Sequence, residues 1–480
     1  MFEVEASPKS KGAEMVGASY LILRVLGVPF GLLPILVVRW TCSDSTSGAF
    51  FIILAFGSII GIFARIGMES ILLRLAAVCK TDDDKCTTVQ TLIASVLCAT
   101  LLAMPVACLA WGLLRLDVSV LAFCGLAVVC TLPPLAICFL QGTGCVGQAI
   151  VYGDYVQAIT FSILTLIMEP LSAAGVVQIY SWAGALQIGL LAWGSMRKIW
   201  SWEGIRWGIP SLDVFRGSGA LLIANCAAAS GRWITPAIVC VLMGDVAASR
   251  FTPLAQAALV VRVPLRALNG LYPQEAARLA NSNRRDAFVL ITSRVAGATR
   301  AASLMIAIGL ISLSGYLAVL DGPLLGGEDY WTLVILVFGQ FAVVALGPVS
   351  YALIMARYFA MESRLSTASL VLCVLFVGAG ALSGSILCGA LGSALASFAL
   401  TVMRARATSR HLGLRHDLRA VLIGAGTLLT CALLIGVAIT AHGGQGWILI
   451  LAAVVVVMVW AGLSLSSIRL ILSRDILRLR

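Results

Sequence analysis

A chain of 480 residues that is 60% hydrophobic and 11% charged, with a mean hydropathy of +1.01, is not a water-soluble globular protein. Apolar runs of about 20 residues recur from end to end, the pattern of an all-α polytopic membrane protein, and their continuity excludes a β-barrel, whose strands alternate. The net charge of +11 does not indicate nucleic acid, because the basic residues fall in short loops between apolar runs, where they act as topology determinants.

In chain order, residues 1–15 are polar. The first apolar segment, about 16–38, is too long for a signal-peptide core and is followed by no small-residue cleavage site, so it is expected to remain as the first span. It carries Arg24, then Pro29 and Pro34, which predict a bend beside a charge. The second span, about 48–67, continues as an amphipathic extension to Val78, where Arg65 and Glu69 stand four residues apart. On a helix they can pair with each other, or either can serve a site. Asp82, Asp83 and Asp84 in KTDDDK lie on a short connector without supporting ligands, so no metal is expected there. Spans three and four occupy about 90–113 and 118–140, the fourth broken by Pro133 and Pro134. Span five begins near Gln148 and places Asp154 about two turns inside, as a proton or cation site or as a partner for an arginine.

Span six, about 171–195, leads into RKIWSWEGIRWGIPSLDVFR, residues 197–216. Its three tryptophans and four basic residues suit an interfacial linker between two lobes. Span seven, about 217–243, holds Arg232. Span eight begins near Phe251 and contains LVVRVPLRALNG, residues 259–270, with Arg262 and Arg266 four residues apart. On a regular helix they share one face, and at roughly 1.5 Å per residue from Phe251 they sit about 16 Å and about 22 Å into the membrane. Arginine at that depth is costly unless it faces a wet cavity or a partner. No acid nearby in sequence can pair with either, which favours an anion-accepting cavity over neutralisation by backbone carbonyls of other helices. Spans nine and ten fall near 299–320 and 331–355. The long run 366–403 divides at GAGALSG, residues 378–384, into spans eleven and twelve. After the basic loop RARATSRHLGLRHDLR, spans thirteen and fourteen cover about 420–440 and 447–468 without a charge.

About fourteen spans place both termini on one side. Basic residues concentrate in alternate loops, around Lys80, Arg197, Arg284, Arg364, Arg404 and the tail, while the intervening loops hold acids such as Asp44, Asp245 and Glu328. By the positive-inside rule both termini are cytoplasmic. The domain organisation expected is a first lobe at 1–196, a linker at 197–216, a second lobe at 217–404, and two further helices with a basic tail at 405–480. A weak repeat supports two lobes: laying 38–66 on 239–267 matches Asp44 with Asp245, Phe50 with Phe251 and Arg65 with Arg266. The 14 cysteines are scattered through apolar segments without a CxxC or Cys/His cluster, so neither a disulfide framework nor a metal site is expected. Only three histidines occur, all in or beside loops, which argues against His-based catalysis.

Arg24, Arg65, Arg232, Arg262 and Arg266 all belong to spans one, two, seven and eight, with Asp154 and Glu69 as the acids able to reach the same lumen. Such a basic lumen suits a multiply charged anion such as a pyrophosphate, since the planar guanidinium fork binds phosphate oxygens bidentately and keeps its charge. The segments ILRVLGVPFG, SGAFFIILAF, ARIGMESILLR, FLQGTGCVGQA and GALGSALASFAL resemble the polysaccharide-biosynthesis, Wzx-type flippase branch of the multidrug/oligosaccharidyl-lipid/polysaccharide exporter superfamily. The resemblance covers nearly the whole chain through soft patterns. It implies two six-helix lobes around a central cavity with two extra C-terminal helices in a bacterial inner membrane. It also implies export of a polyprenyl-pyrophosphate-linked oligosaccharide by alternating access, with the five arginines lining the cavity by position. The implied partners are membrane lipids, a polysaccharide polymerase and glycosyltransferases; no cofactor is implied beyond proton or sodium coupling. The alternatives are a peptidoglycan-precursor lipid flippase and a cation-coupled multidrug antiporter, whose lumen should be acidic. A membrane glycosyltransferase, polymerase or ligase would need a sizeable external loop bearing acids or a DxD pair, and these loops are short.

Overall fold

The computed structural model describes residues 30–79, 81–114, 118–202, 218–268, 284–320, 327–356 and 358–440, with isolated positions at 27, 272, 276, 279 and 280. Arg24, most of the 197–216 linker and the fourteenth span lie outside the described residues. Among the described residues every regular element is helical, and ten helices are long and apolar enough to cross a membrane.

The helices are α1 (Phe30–Thr41), α2 (Asp44–Ala64), α3 (Met68–Val78), α4 (Asp82–Leu114), α5 (Val120–Gly142), α6 (Val146–Met168) and α7 (Ala173–Trp200). They continue with α8 (Ser218–Ala229), α9 (Thr235–Met243), α10 (Asp245–Ala258), α11 (Val263–Leu268) and α12 (Arg285–Leu320). The last are α13 (Gly327–Ala345), α14 (Val349–Met355), α15 (Phe359–Leu382), α16 (Ile386–Leu412) and α17 (Leu418–Thr440). The start signals are local. Ser43, Ser119 and Ser172 accept from backbone N–H groups three residues on, capping α2, α5 and α7. Thr81 and Asp84 close a reciprocal capping box, so the acids of KTDDDK form the first turn of α4, where the helix dipole favours them, rather than a free connector.

Polarity is inverted relative to a soluble protein. Leu101 and Leu113 of α4, Ile167 of α6 and Leu422 of α17 are exposed, whereas Thr88, Thr91 and Ser95 of α4 and Thr299 of α12 are buried. These hydroxyls donate to carbonyls of the preceding turn, so they need no outside partner. An apolar exterior over internally satisfied polar groups fits hydrocarbon surroundings.

Two sets of cores form along the chain. Phe50, Phe123, Phe161 and Val177 anchor one in the first half, with Leu72, Leu135 and Phe139 continuing it toward the basic-loop end. Phe251, Tyr330, Phe341 and Val377 anchor another in the second half, continued by Phe288, Leu353 and Leu412. The halves meet mainly where α2 packs on α8, α9 and α10. A Cβ on Gly48 would lie 1.9 Å from the Asp245 carbonyl oxygen, so only glycine permits this approach. Phe50 and Phe251, matched in the repeat, are both fully buried.

Four spans differ from the regular helices expected. The second breaks after Arg65, where Ile66 (φ 47°) and Gly67 (φ 74°) adopt left-handed backbone and turn α3 away. The eighth is interrupted by a 3-10 turn, Leu259–Arg262, between α10 and α11. Pro264 cannot donate to the Val260 carbonyl, and the Val263 N–H takes it instead across three residues. Spans five and seven each contain one π-helical turn, at Val151–Tyr155 and Ser230–Ile234. These turns hold Asp154 and Arg232.

Candidate functional site

The arginines are placed by defects in the helices around them. In α5, Pro134 has no N–H to give the Cys130 carbonyl, which is left free inside the bundle. Arg65 at the end of α2 donates Nη1 to that oxygen at 2.7 Å. Its Nε pairs with Glu69, so the spacing noted in the sequence forms a pair across the break. The other Glu69 oxygen accepts from Asn225 Nδ2 of α8. Arg65 is 7% exposed, and its charge is compensated within this chain of contacts, which joins the two halves.

The second half repeats the device. Pro236 cannot donate to the Arg232 carbonyl, and Gln256 Nε2 of α10 takes that place at 2.9 Å. The π-helical turn swings the Arg232 side chain out, exposed, with its guanidinium 5.0 Å from the Trp233 ring centroid. Arg232 also lies within electrostatic range of Cys130 and Tyr180 in the first half, and Arg65 shares Cys130 with it. Arg65 and Arg232 therefore face each other's territory across the junction.

Arg262 sits deeper. Its Nε is buried with no hydrogen-bond partner, as is the Gln340 side-chain carbonyl. Both side chains converge on Gly231: a Cβ there would lie 3.6 Å from Arg262 Nη2 and 3.7 Å from Gln340 Nε2. The charges acting on Arg262 are those of Arg266 and Arg404, both positive. Among the described residues no carboxylate lies within ion-pair distance of Arg262 or Arg232. The 3-10 turn of the eighth span ends at Arg262, and Arg266 follows four residues on in α11; Arg262 is partly buried and Arg266 exposed. Asp154 is exposed on its π-helical turn, which is pinned where Gln187 Nε2 donates to the Gly153 carbonyl.

The structure adds two residues that the sequence reading left in loops. Helices α15 and α16 extend past the apolar runs, so Glu362 and Arg404 lie inside them and form a buried ion pair. Charge at the ends of the apolar windows hid both; an acid and an arginine each flanked by helix-forming residues was the available signal. A cavity of about 80 Å³ adjoins Arg404, lined by Leu265, Gly347, Pro348, Ser350 and Thr401.

The fold is shared with solved structures of polytopic membrane transporters. The chain is similar in structure to a lipid II flippase, MurJ, in an inward closed conformation, with a TM-score of 0.66 at 12% identity over 94% of this chain and 99% of that one. It is also similar to a multidrug resistance MATE family transporter of the MOP superfamily in an inward-facing conformation, with a TM-score of 0.55 at 14% identity over 82% and 99% of the two chains. A MATE transporter in complex with Br-NRF gives a TM-score of 0.53 at 14% identity, over 87% of this chain and 96% of that one. No family model and no curated protein matches the sequence.

Proposed function

We propose that this chain is a flippase that moves a polyprenyl-pyrophosphate-linked oligosaccharide, of the Wzx class, from the cytoplasmic to the periplasmic leaflet of a bacterial inner membrane by alternating access. Arg262 carries the reading. A guanidinium with a buried, unpartnered Nε, whose charged neighbours are also positive, is unfavourable in an empty apolar interior and becomes favourable once an anion reaches it. Arg232 and Arg266, with Arg24 by its place in the first span, would extend the basic site, and Arg65, held by Glu69 and the Cys130 carbonyl, would border it at the lobe junction. Asp154 and Glu69 are the proposed sites of proton or sodium coupling, Glu69 through its contact with Arg65 and Asn225.

A peptidoglycan-precursor flippase is the second reading, favoured by the MurJ likeness, which covers more of this chain at a higher TM-score than the MATE structures do. It shares the pyrophosphate chemistry and differs in the glycan. An exporter of cations fits less well, because the cluster around Arg262 repels them.

The test is translocation of fluorescent polyprenyl-pyrophosphate glycolipids in vesicles containing the full chain, one bearing a polysaccharide repeat unit and one a peptidoglycan precursor. Replacing Arg262 and Arg266 together by Ala should lower translocation about tenfold or more, with Lys restoring part of it, since Lys keeps charge without the fork. Full-rate transport by a well-inserted double Ala variant overturns the reading. Asp154→Asn in the same vesicles should weaken dependence on an imposed proton or sodium gradient; unchanged dependence removes Asp154 from that role.

A further inference from the structure

The ion pair between Glu362 and Arg404 is built asymmetrically. Glu362 is 1% exposed, and every hydrogen bond it accepts falls on one oxygen. Arg404 Nη2, Ser350 Oγ (2.6 Å) and Ser366 Oγ (3.3 Å) all donate to Oε1, while Oε2 is buried without a partner. Arg404 is also half used, since its Nε is buried and unpartnered. A guanidinium and a carboxylate committed to each other usually meet fork to fork, through two parallel bonds. Here one bond is made and one donor is left over. The cavity beside Arg404 has room for one phosphate-sized group, since about 30 Å³ is the share of a single water and the cavity measures about 80 Å³. Its wall at Leu265 directly precedes Arg266, and Arg404 lies within electrostatic range of Arg262.

The geometry points to Glu362 as an internal stand-in for the anionic substrate: its carboxylate holds Arg404 in the empty carrier, and a phosphate-class anion entering the cavity replaces it on the guanidinium. This rests on the anion-translocating function proposed above and adds a residue that sets substrate class. Without Glu362 the empty carrier would hold Arg262, Arg266 and Arg404 together with no compensating charge on Arg404. A bidentate phosphate outcompetes a single-bonded carboxylate for the guanidinium, whereas a carboxylate ligand gains little by the exchange. Ser350 and Ser366 stay with Glu362 when Arg404 leaves, so the displaced carboxylate keeps donors. The arrangement therefore selects phosphate and pyrophosphate esters over acidic sugars.

The test is calorimetric titration of the purified full chain with inorganic pyrophosphate. Glu362→Gln keeps the side-chain shape and removes the competing charge, and should bind pyrophosphate about tenfold more tightly than the parent. Glu362→Asp, one methylene shorter and still charged, should show a smaller gain and decides the matter if the Gln variant does not fold. Arg404→Gln should bind more weakly, and adding Glu362→Gln to it should give no gain. Binding by the parent that neither Glu362 variant tightens overturns this inference and leaves the flippase reading intact. Absence of binding by the parent and by both variants overturns the two together. A structural ion pair without this role predicts weaker binding in both variants.

Discussion

A proline four residues after a carbonyl leaves that carbonyl without its helical donor, and each half of the molecule fills such a vacancy with a long polar side chain from a neighbouring helix. Arg65 serves Cys130 in one half and Gln256 serves Arg232 in the other. Pro134 was visible in the sequence as a break in its span, and Arg65 with Glu69 as residues spaced to pair. Their third partner, Asn225, is 156 residues away in the chain, and no local spacing points to it. The four-residue spacing of Arg262 and Arg266 was plain in the sequence, but the 3-10 turn that ends at Arg262 was not, because it follows from how the chain accommodates Pro264. At the same scale, His416 lies in the loop between α16 and α17, against Thr408 Oγ at 2.9 Å. Burial pushes its imidazole below the usual range, against a smaller upward effect of the Ala405 backbone, so the folded protein favours the neutral ring. Its contribution to stability is complete above the unfolded value of about 6.5 and is lost as the pH falls through the lower folded value. Thermal unfolding in detergent should therefore show the parent losing stability from pH 7.5 to 5.5 more steeply than His416→Gln. Parallel profiles would remove His416 from the account.

Among the elements, α17 is one of the two C-terminal helices that the sequence adds to the lobes, and the sequence does not say what it packs against. Leu428, Cys431, Ala432 and Ile435 are buried in the second-half core, and Tyr330 donates to the Ala432 carbonyl at 2.9 Å. Gly424 and Gly436 lie against Phe341 and Trp331, whose rings fill the space a Cβ would need. Hydropathy could not show this, because every face of the span is apolar and only the positions of small residues distinguish the packed face. Gly315 of α12 receives Ile435, whose Cγ2 would stand 2.1 Å from a Cβ at that site. Gly315→Val should therefore lower stability by about 1–3 kcal/mol through overpacking, and Ile435→Ala should return part of the loss. The measurement is the detergent melting temperature of the single and double variants; equal melting of Gly315→Val and parent would refute the packing. Truncation before Ala420 should strip the core and leave an unstable protein, in contrast to a separable pair of helices.

For the whole molecule, the all-α polytopic fold was legible because about 20-residue apolar periodicity survives any detail of packing. What the sequence did not carry was how the halves touch. Their junction runs along α2, which is held by glycine near both ends: Gly48 against the Asp245 backbone, and Gly67, just past the break, where a Cβ would lie 2.6 Å from the Ser218 carbonyl oxygen. Gly48→Val should wedge the acidic-loop end apart, lengthening the distance between spin labels at Ser45 and Val246 and stopping the translocation proposed above while insertion persists. An unchanged label distance would mean that this end is not a closure.

One seat lies in the first turns of a stiff rod and the other in the turn just beyond its far end. A helix of 21 residues is about 31 Å long, so a tilt of about 10° around its midpoint carries the ends roughly 3 Å in opposite directions. Both glycines are in backbone contact, so lifting one end presses the other further into its seat. A rocking beam of this kind cannot be raised at both ends at once. Leak-tightness, for the glycolipid carrier proposed above, would then follow from the rigidity of α2 and would need no signal passing between the two openings.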